Sequence, residues 1–399
     1  MALLHSIHDD AVSLLHKLST PDGILASTIE ADNYKRIWAR DSIICGLAGL
    51  LLNDDTVIEG LKNSLLTLAK EQHELGMIPS NVLPGKIADV SFGSLVGRID
   101  ANTWFIIGSC LYYLESNDTR TWEILQPAIR KCRKFLKACE YNDKGWIYTP
   151  LSGNWADEYP VHGYTLYDNL LRIWGEKIWL EINGERKDAL YDIIEKTRDN
   201  FWPSARSQGK GVYHQGAFRN AIDNNAGHYA AFLLPGCYDM RFDAAGNALA
   251  LLLLETEDFQ KKEMKDFTEG LQSALGKRLI PAFWPVITED SPDWQLLKGN
   301  YSFDFKNEPG YFHNGGIWPV WMGLFCMGMM KIGLTEATKN IITEFEVIIQ
   351  KTDNWSFNEY INSADFRVEG KTQMGYTAAG IVFMKAAIGK ASFTEKLHL

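Results

Sequence analysis

The stretches DSIICGLAGLLL (residues 41–52) and GGIWPVWMGLFCMGMM (residues 315–330) are apolar on nearly every side. Other stretches are of a different kind. In DDTVIEGLKNSLLTLAK (54–70), Val57, Leu61, Leu65 and Leu68 recur at steps of four and three behind an acidic start, which marks a helix with a single apolar stripe. Leu125, Ile129, Cys132, Leu136 and Cys139 repeat that pattern after the capping-type run Ser116-Asn117-Asp118. Ile341, Phe345 and Ile348 repeat it behind Thr335, read as a cap. A helix apolar all round belongs in an interior, whereas one with a stripe belongs to an outer layer. Scored this way, twelve helices are expected, near 5–19, 38–53, 54–75, 100–116, 119–142, 163–183, 186–201, 242–256, 258–275, 315–331, 335–352 and 373–389. They pair as six hairpins whose even-numbered members are the more apolar. The expectation is an all-α fold, an (α/α)6 barrel of six inner helices ringed by six outer ones.

The bulk composition bounds the rest. Hydrophobic residues make up 46% and charged residues 23% of 399, which is ordinary for a globular chain with a sizeable core. No Pro/Gly/Ser linker divides the sequence, so a single catalytic domain over 1–399 is expected. A formal charge of −10 argues against nucleic acid or an anionic membrane surface as partner. No apolar run reaches the roughly 18–20 residues of a membrane span. MALLHSIHDDAVSLLHKLS at the N-terminus reads as an amphipathic helix rather than an export signal, so a cytoplasmic location is expected. The six cysteines form no C-x-x-C or Cys/His cluster of zinc spacing, which points to mostly buried, reduced thiols and to no metal. No cofactor is expected, and no phosphate-binding glycine loop occurs.

Six stretches break the helical pattern: IWARDS (37–42), GRIDANTW (97–104), NWADEYPVHG (154–163), IDNNAGHY (222–229), YFHNGGIWP (311–319) and WSFNEYI (355–361). Five fall at or just before the start of an even-numbered helix, and in an up-down barrel those starts converge on one mouth. Trp38, Trp104, Trp155, Trp318 and Trp355 lie in them beside Asp, Glu, Arg, His and Asn. Aromatic faces pack on the C–H face of a sugar ring while polar neighbours meet its hydroxyls, so a small oligosaccharide or glycoside is the expected ligand. Cleaving a glycosidic bond needs two carboxyl groups, one protonated and one ionised. Asp157 or Glu158, together with Glu359, are the candidates, and the flanking Trp155, Trp355 and Phe357 are of the kind that raises a carboxyl pKa. Each residue also has a structural reading: Asp157 as a helix start, Arg40 and Asp41 as an ion pair, Trp104 and Trp318 as core, His228 and His313 as buried histidines.

At these residues the chain resembles the clan of (α/α)6-barrel glycosidases that includes neutral/alkaline invertases and the amylo-α-1,6-glucosidase part of glycogen debranching enzymes. YFHNGGIWPV and FRVEGKTQMGYTAAGIV are similar to the invertase pattern. IWARDS, DANTWFI, NWADEYPVHGYTLYDN and FNEYI look at least as much like the debranching type. The resemblance runs from about residue 30 to 390. It implies an inverting, exo-acting hydrolase with Asp157 as general acid and Glu359 as general base, their carboxyls about 6.5–9.5 Å apart. It also implies Arg40, Asp41 and Asp100 as sugar contacts, with His313, Asn314 and Trp318 in the same cavity. WADEYPVHG departs from the invertases, which carry two arginines after the acid, and this argues against sucrose. Two other readings stay open: a sugar epimerase of the same barrel type, using His228 and His313, and a non-catalytic sugar-binding protein.

Overall fold

The computed structural model describes residues 2–30, 33–141, 145–207, 211–389 and 392–399. Its helices are α1 (Ala2–Leu18), α2 (Ala39–Leu52), α3 (Asp55–Lys70), α4 (Ile99–Ser116), α5 (Thr119–Ala138), α6 (Leu166–Ile182), α7 (Asp188–Phe201), α8 (Gln215–Asp223), α9 (Ala244–Leu253), α10 (Asp258–Leu275), α11 (Trp294–Lys298), α12 (Pro319–Lys331), α13 (Thr335–Gln350), α14 (Gly375–Ile388) and α15 (Phe393–Lys396). Helices α2, α4, α6, α9, α12 and α14 pack side by side in that order, and α14 returns to α2, closing a ring. These are the even-numbered members of the expected twelve. Helices α1, α3, α5, α7 and α13 lie against them as the outer layer. The architecture is the (α/α)6 barrel.

Burial follows the apolar pattern. In α4 every residue from Ile99 to Tyr112 is buried, whereas α3 buries Val57, Gly60, Leu61, Ser64, Leu65 and Leu68 and leaves its other faces to solvent. The tightest approach within the ring is between α12 and α14. A Cβ on Gly323 would come 2.4 Å from the Gly380 carbonyl oxygen, so neither position admits a side chain without separating the two helices.

Several boundaries differ from the expected ones for local reasons. Helix α12 starts at Pro319 rather than 315, because proline suits the first helical position and the preceding Trp318 is extended. Phe242–Asp243 pairs with Phe283–Trp284 and Asp243 caps the next turn, so α9 starts at Ala244. Asp118 does cap α5 through the Thr121 N–H at 3.0 Å, but α5 ends at Ala138; Asn142, in the expected span, lies outside the described residues. Thr335 is the first residue of α13, capped by Leu334 without a side-chain bond, so it is not the cap. The stretches 203–240 and 276–314 contain α8, α11 and short strands. Five cysteines are buried, as expected of most of them, and Cys237 is exposed. Among the described residues no helix is long and apolar enough to cross a membrane.

Several of the short strands and bridges have one use in common. Ile37–Trp38 pairs with Asn81–Leu83 immediately before α2, and Tyr164–Thr165 with Phe232–Leu234 immediately before α6. Ile317 bridges Ile361 just ahead of α12, and Ser27 bridges Met374 just ahead of α14. Antiparallel pairing thus fixes the chain where it enters the inner helices. The side chains at those positions therefore project from a rigid rim.

Candidate active site

A cavity of about 590 Å³, counted to its open mouth, lies at the starts of the inner helices. Its lining brings together Trp38, Arg40 and Asp41 from the start of α2, Trp155 and Asp157 from the loop before α6, His313 and Trp318 from the approach to α12, and Glu359 from the loop before α14. Eight of the eleven site residues expected from the sequence share this one space.

Glu359 is 5% exposed. Its Oε1 accepts from the Tyr34 hydroxyl at 2.8 Å and the Tyr376 hydroxyl at 3.2 Å, while Oε2 accepts from the Lys371 N–H at 3.3 Å. Burial pushes the carboxyl above its ordinary pKa, against those three hydrogen bonds, which favour the charged form. Gly370 makes the cradle possible. It adopts φ +78°, and a Cβ there would lie 2.5 Å from Glu359 Oε2.

Asp157 is held differently. Arg98, buried at the N-terminal boundary of α4, donates from Nη2 to Asp157 Oδ2 and from Nη1 to the Ser152 carbonyl. The Asp157 side chain keeps 26% of its surface exposed, on the cavity. The adjacent Glu158 is turned away from the lining. Its Oε1 accepts from the Ser302 N–H at 3.2 Å and its main-chain carbonyl from Asn307 Nδ2 at 2.8 Å, so it tethers the 300–307 segment.

The start of α2 adds an ion-pair network to the cavity. Arg40 Nη1 donates to Asp100 Oδ2 at 2.9 Å, and its Nε stands 3.8 Å from Asp41 Oδ2. Asp100 Oδ2 also accepts from the Tyr167 hydroxyl at 3.2 Å, which in turn accepts from Trp104 Nε1 at 2.8 Å. Burial raises the Asp41 carboxyl to about 6; Arg40 opposes the shift, and Glu359 and Asp100 add to it. Asp168 and Asp243, buried at the starts of α6 and α9, are pushed up to about 8 and about 7, chiefly by burial.

The opposite wall is aromatic. Trp318 donates Nε1 to the Phe312 carbonyl at 3.0 Å and stacks against His313, Tyr360 and Tyr376, with interplanar angles of 23°, 16° and 22°. Trp155 meets His313 edge-on at 5.1 Å and Trp321 at 5.0 Å. Burial, then Lys306, Arg40 and Arg98, holds the His313 imidazole well below its ordinary pKa, so it is neutral near pH 7.

Three expected residues lie outside the lining. Asp100 is 1% exposed and reaches the cavity only through Arg40. Trp104 is fully buried in the core, because the inner face of α4 turns it toward Tyr167 and Trp174; it is not a sugar contact. Asn314 is likewise buried, with both amide ends taken by Ile287 and Asn307, so it braces the turn instead of facing the cavity. His228 is also remote: its Nδ1 contacts the Tyr229 carbonyl and its ring packs on Phe242 and Phe267. The histidine pair expected of an epimerase is therefore not assembled. Sequence reasoning missed Tyr34, Tyr376 and Arg98 as working residues. Tyr376 lies in FRVEGKTQMGYTAAGIV and Arg98 in GRIDANTW, so both carried a signal, whereas Tyr34 carried none.

Among the described residues no group of three His, Cys, Asp or Glu is arranged to hold a metal ion. Comparison with known proteins bears on the class. Residues 215–388 match the family model for alkaline and neutral invertase. The chain is 26% identical over 452 aligned residues to a probable chloroplastic alkaline/neutral invertase A of Arabidopsis thaliana, covering 96% of this chain and 70% of that one. It is 28% identical over 171 residues to the mitochondrial alkaline/neutral invertase C of the same plant, a match spanning 42% of this chain and only 24% of that relative's length. Among solved structures, a mannosylglycerate hydrolase from Thermus thermophilus superposes over 95% of this chain and all of its own, with a TM-score of 0.66 at 13% identity. A glucoamylase from Hormoconis resinae covers 98% of this chain and 74% of its own, with a TM-score of 0.60 at 11% identity. These matches give the chain the fold of (α/α)6-barrel glycosidases and a likeness to the alkaline and neutral invertases, whose family model falls in its C-terminal half.

Proposed function

We propose that the chain, acting as one catalytic domain, hydrolyses an α-glucosidic bond at the end of a small sugar, with inversion at the anomeric carbon. The observation that carries this reading is that Asp157 and Glu359, from distant parts of the chain, line one ring-sized cavity while Glu158 is turned out of it. Asp157 is the proton donor. Arg98 occupies Oδ2, which leaves Oδ1 to give its proton to the leaving oxygen. Glu359 is the base: its Oε atoms are oriented by Tyr34, Tyr376 and the Lys371 N–H, and it takes a proton from the water that attacks from the opposite face.

The walls divide the binding work. The Arg40 guanidinium, fixed by Asp100, and the Asp41 carboxyl meet ring hydroxyls as donor and acceptor, while Trp38 and Trp318 offer faces for the ring C–H groups. A cavity set inside a closed ring of helices admits one chain end, which is why the action is exo. The resemblance to relatives named invertases supports the chemistry more than the sugar, since the segment after Asp157 lacks their arginine pair.

The test is release of reducing sugar from a panel of sucrose, isomaltose, trehalose, maltose and glycosylglycerates, with NMR of the first-formed anomer from the best substrate. An inverted anomer is expected. Isomerised sugar without a new reducing end, or retention of configuration, would overturn the reading.

A further inference from the structure

One feature of the rim is not used by the two carboxyls. The segment 299–307 is fastened to the acid-bearing loop along its length: Asn300 Nδ2 donates to the Asp157 carbonyl at 3.3 Å, Asn300 Oδ1 accepts from Ser152 at 2.8 Å, and Ser302 and Asn307 bind Glu158. Phe305 packs edge-on against Trp294 and Tyr301. A segment held this way has no need to expose apolar rings, yet Phe303 is 82% and Tyr301 41% exposed. The hairpin around 83–97 meets it through Ser94 and Ser302, whose hydroxyls lie 3.2 Å apart, and adds exposed Leu83, Ile87 and Leu95. Lys306 links this surface to the cavity: its Nζ lies 5.1 Å from the ring of Phe312, which lines the pocket, and its charge acts on both Glu158 and Glu359. These side chains stand beside the pocket rather than in its lining, and exposed apolar side chains grouped at the edge of a pocket mark a binding surface.

We propose that Tyr301, Phe303 and Lys306 form the seat of the leaving group, and that this group is a second sugar ring stacked on the aromatic side chains with Lys306 donating to its hydroxyls. The proposal rests on Asp157 as proton donor, because the seat adjoins that residue and not Glu359. It makes Phe303 a specificity-determining residue for the half of the substrate that departs.

The test compares two substrates of the intact chain: the disaccharide it cleaves fastest among maltose, isomaltose and sucrose, and α-glucosyl fluoride, whose leaving group has no ring. In Phe303→Ala the ratio of kcat/KM on the disaccharide to that on the fluoride is expected to fall about tenfold, as for loss of one aromatic contact. Phe303→Tyr, which keeps the ring, is expected to restore it. An unchanged ratio in Phe303→Ala overturns the proposal while leaving the hydrolase reading in place. If the unaltered protein cleaves neither substrate, the roles of Asp157 and Glu359 fail first, and the leaving-group seat fails with them.

Discussion

The two walls of the cavity solve different problems. One, built from α2, α4 and the loop before α6, is charged: Arg40, Asp41, Asp100, Arg98 and Asp157 hold one another in pairs. The other, built from the approaches to α12 and α14, is aromatic, and its single carboxyl, Glu359, is held by neutral donors. Of the aromatic wall, His313, Trp318, Tyr360 and Tyr376 fall with Glu359 inside the residues matched by the invertase family model, whereas Trp155 and the residues of the charged wall fall outside them. The lesson is that two carboxyls of one cavity can be held by opposite kinds of company. Beside a guanidinium one is oriented and open to the mouth; beneath tyrosines and main-chain N–H groups the other is buried and still able to take a proton.

The comparison breaks most visibly at its two acids. Asp157→Asn and Glu359→Gln are each expected to lower kcat about a thousandfold, with circular dichroism unchanged. Arg40→Ala attacks the charged wall through stability. It leaves Asp100 and Asp41 buried without their cation, and a fall of about 3 kcal/mol in the free energy of urea unfolding is expected. The same substitution in the aromatic wall has no such counterpart.

Finer tests sharpen the contrast. Tyr376→Phe removes a donor that favours ionised Glu359, so the carboxyl pKa rises further. The acid limb of the kcat/KM profile should then move up by about one pH unit. Buried Asp168, raised to about 8 in the fold, must give up its proton as pH rises. Its contribution to stability is complete below the ordinary carboxyl range and is lost as pH climbs through its folded value. Unfolding free energy should therefore decline between about pH 4 and 8, by up to about 1.4 kcal/mol for each pH unit, and Asp168→Asn should flatten that decline. The smallest effect belongs to Glu158→Gln: because Glu158 tethers a loop and does not face the cavity, kcat is expected to change less than tenfold.

Much of this was legible in the sequence, and the reason is periodicity. The contrast between all-round apolar segments such as 41–52 and striped ones such as 54–70 distinguishes inner from outer helices before any coordinates are seen. Spacing cannot say which way a side chain turns once the backbone is fixed. Asp157 and Glu158 are neighbours with the same chemistry, and what separates them is Arg98 on the one and the tether from Ser302 on the other. Trp104 lies in a site-like motif, yet the rotation of α4 sends it into the core. Tyr34 reaches Glu359 across 325 positions of sequence, a pairing that only the closed ring creates.

The most direct test of the two-wall account is the hydrolysis of α-glucosyl fluoride by the two acid variants. Fluoride departs without a proton, so Asp157→Asn should keep most of its activity on the fluoride while losing it on a disaccharide, and Glu359→Gln should lose both. Loss of fluoride hydrolysis in Asp157→Asn with retention in Glu359→Gln would contradict the account, since the donor and the base would then have been assigned to the wrong walls.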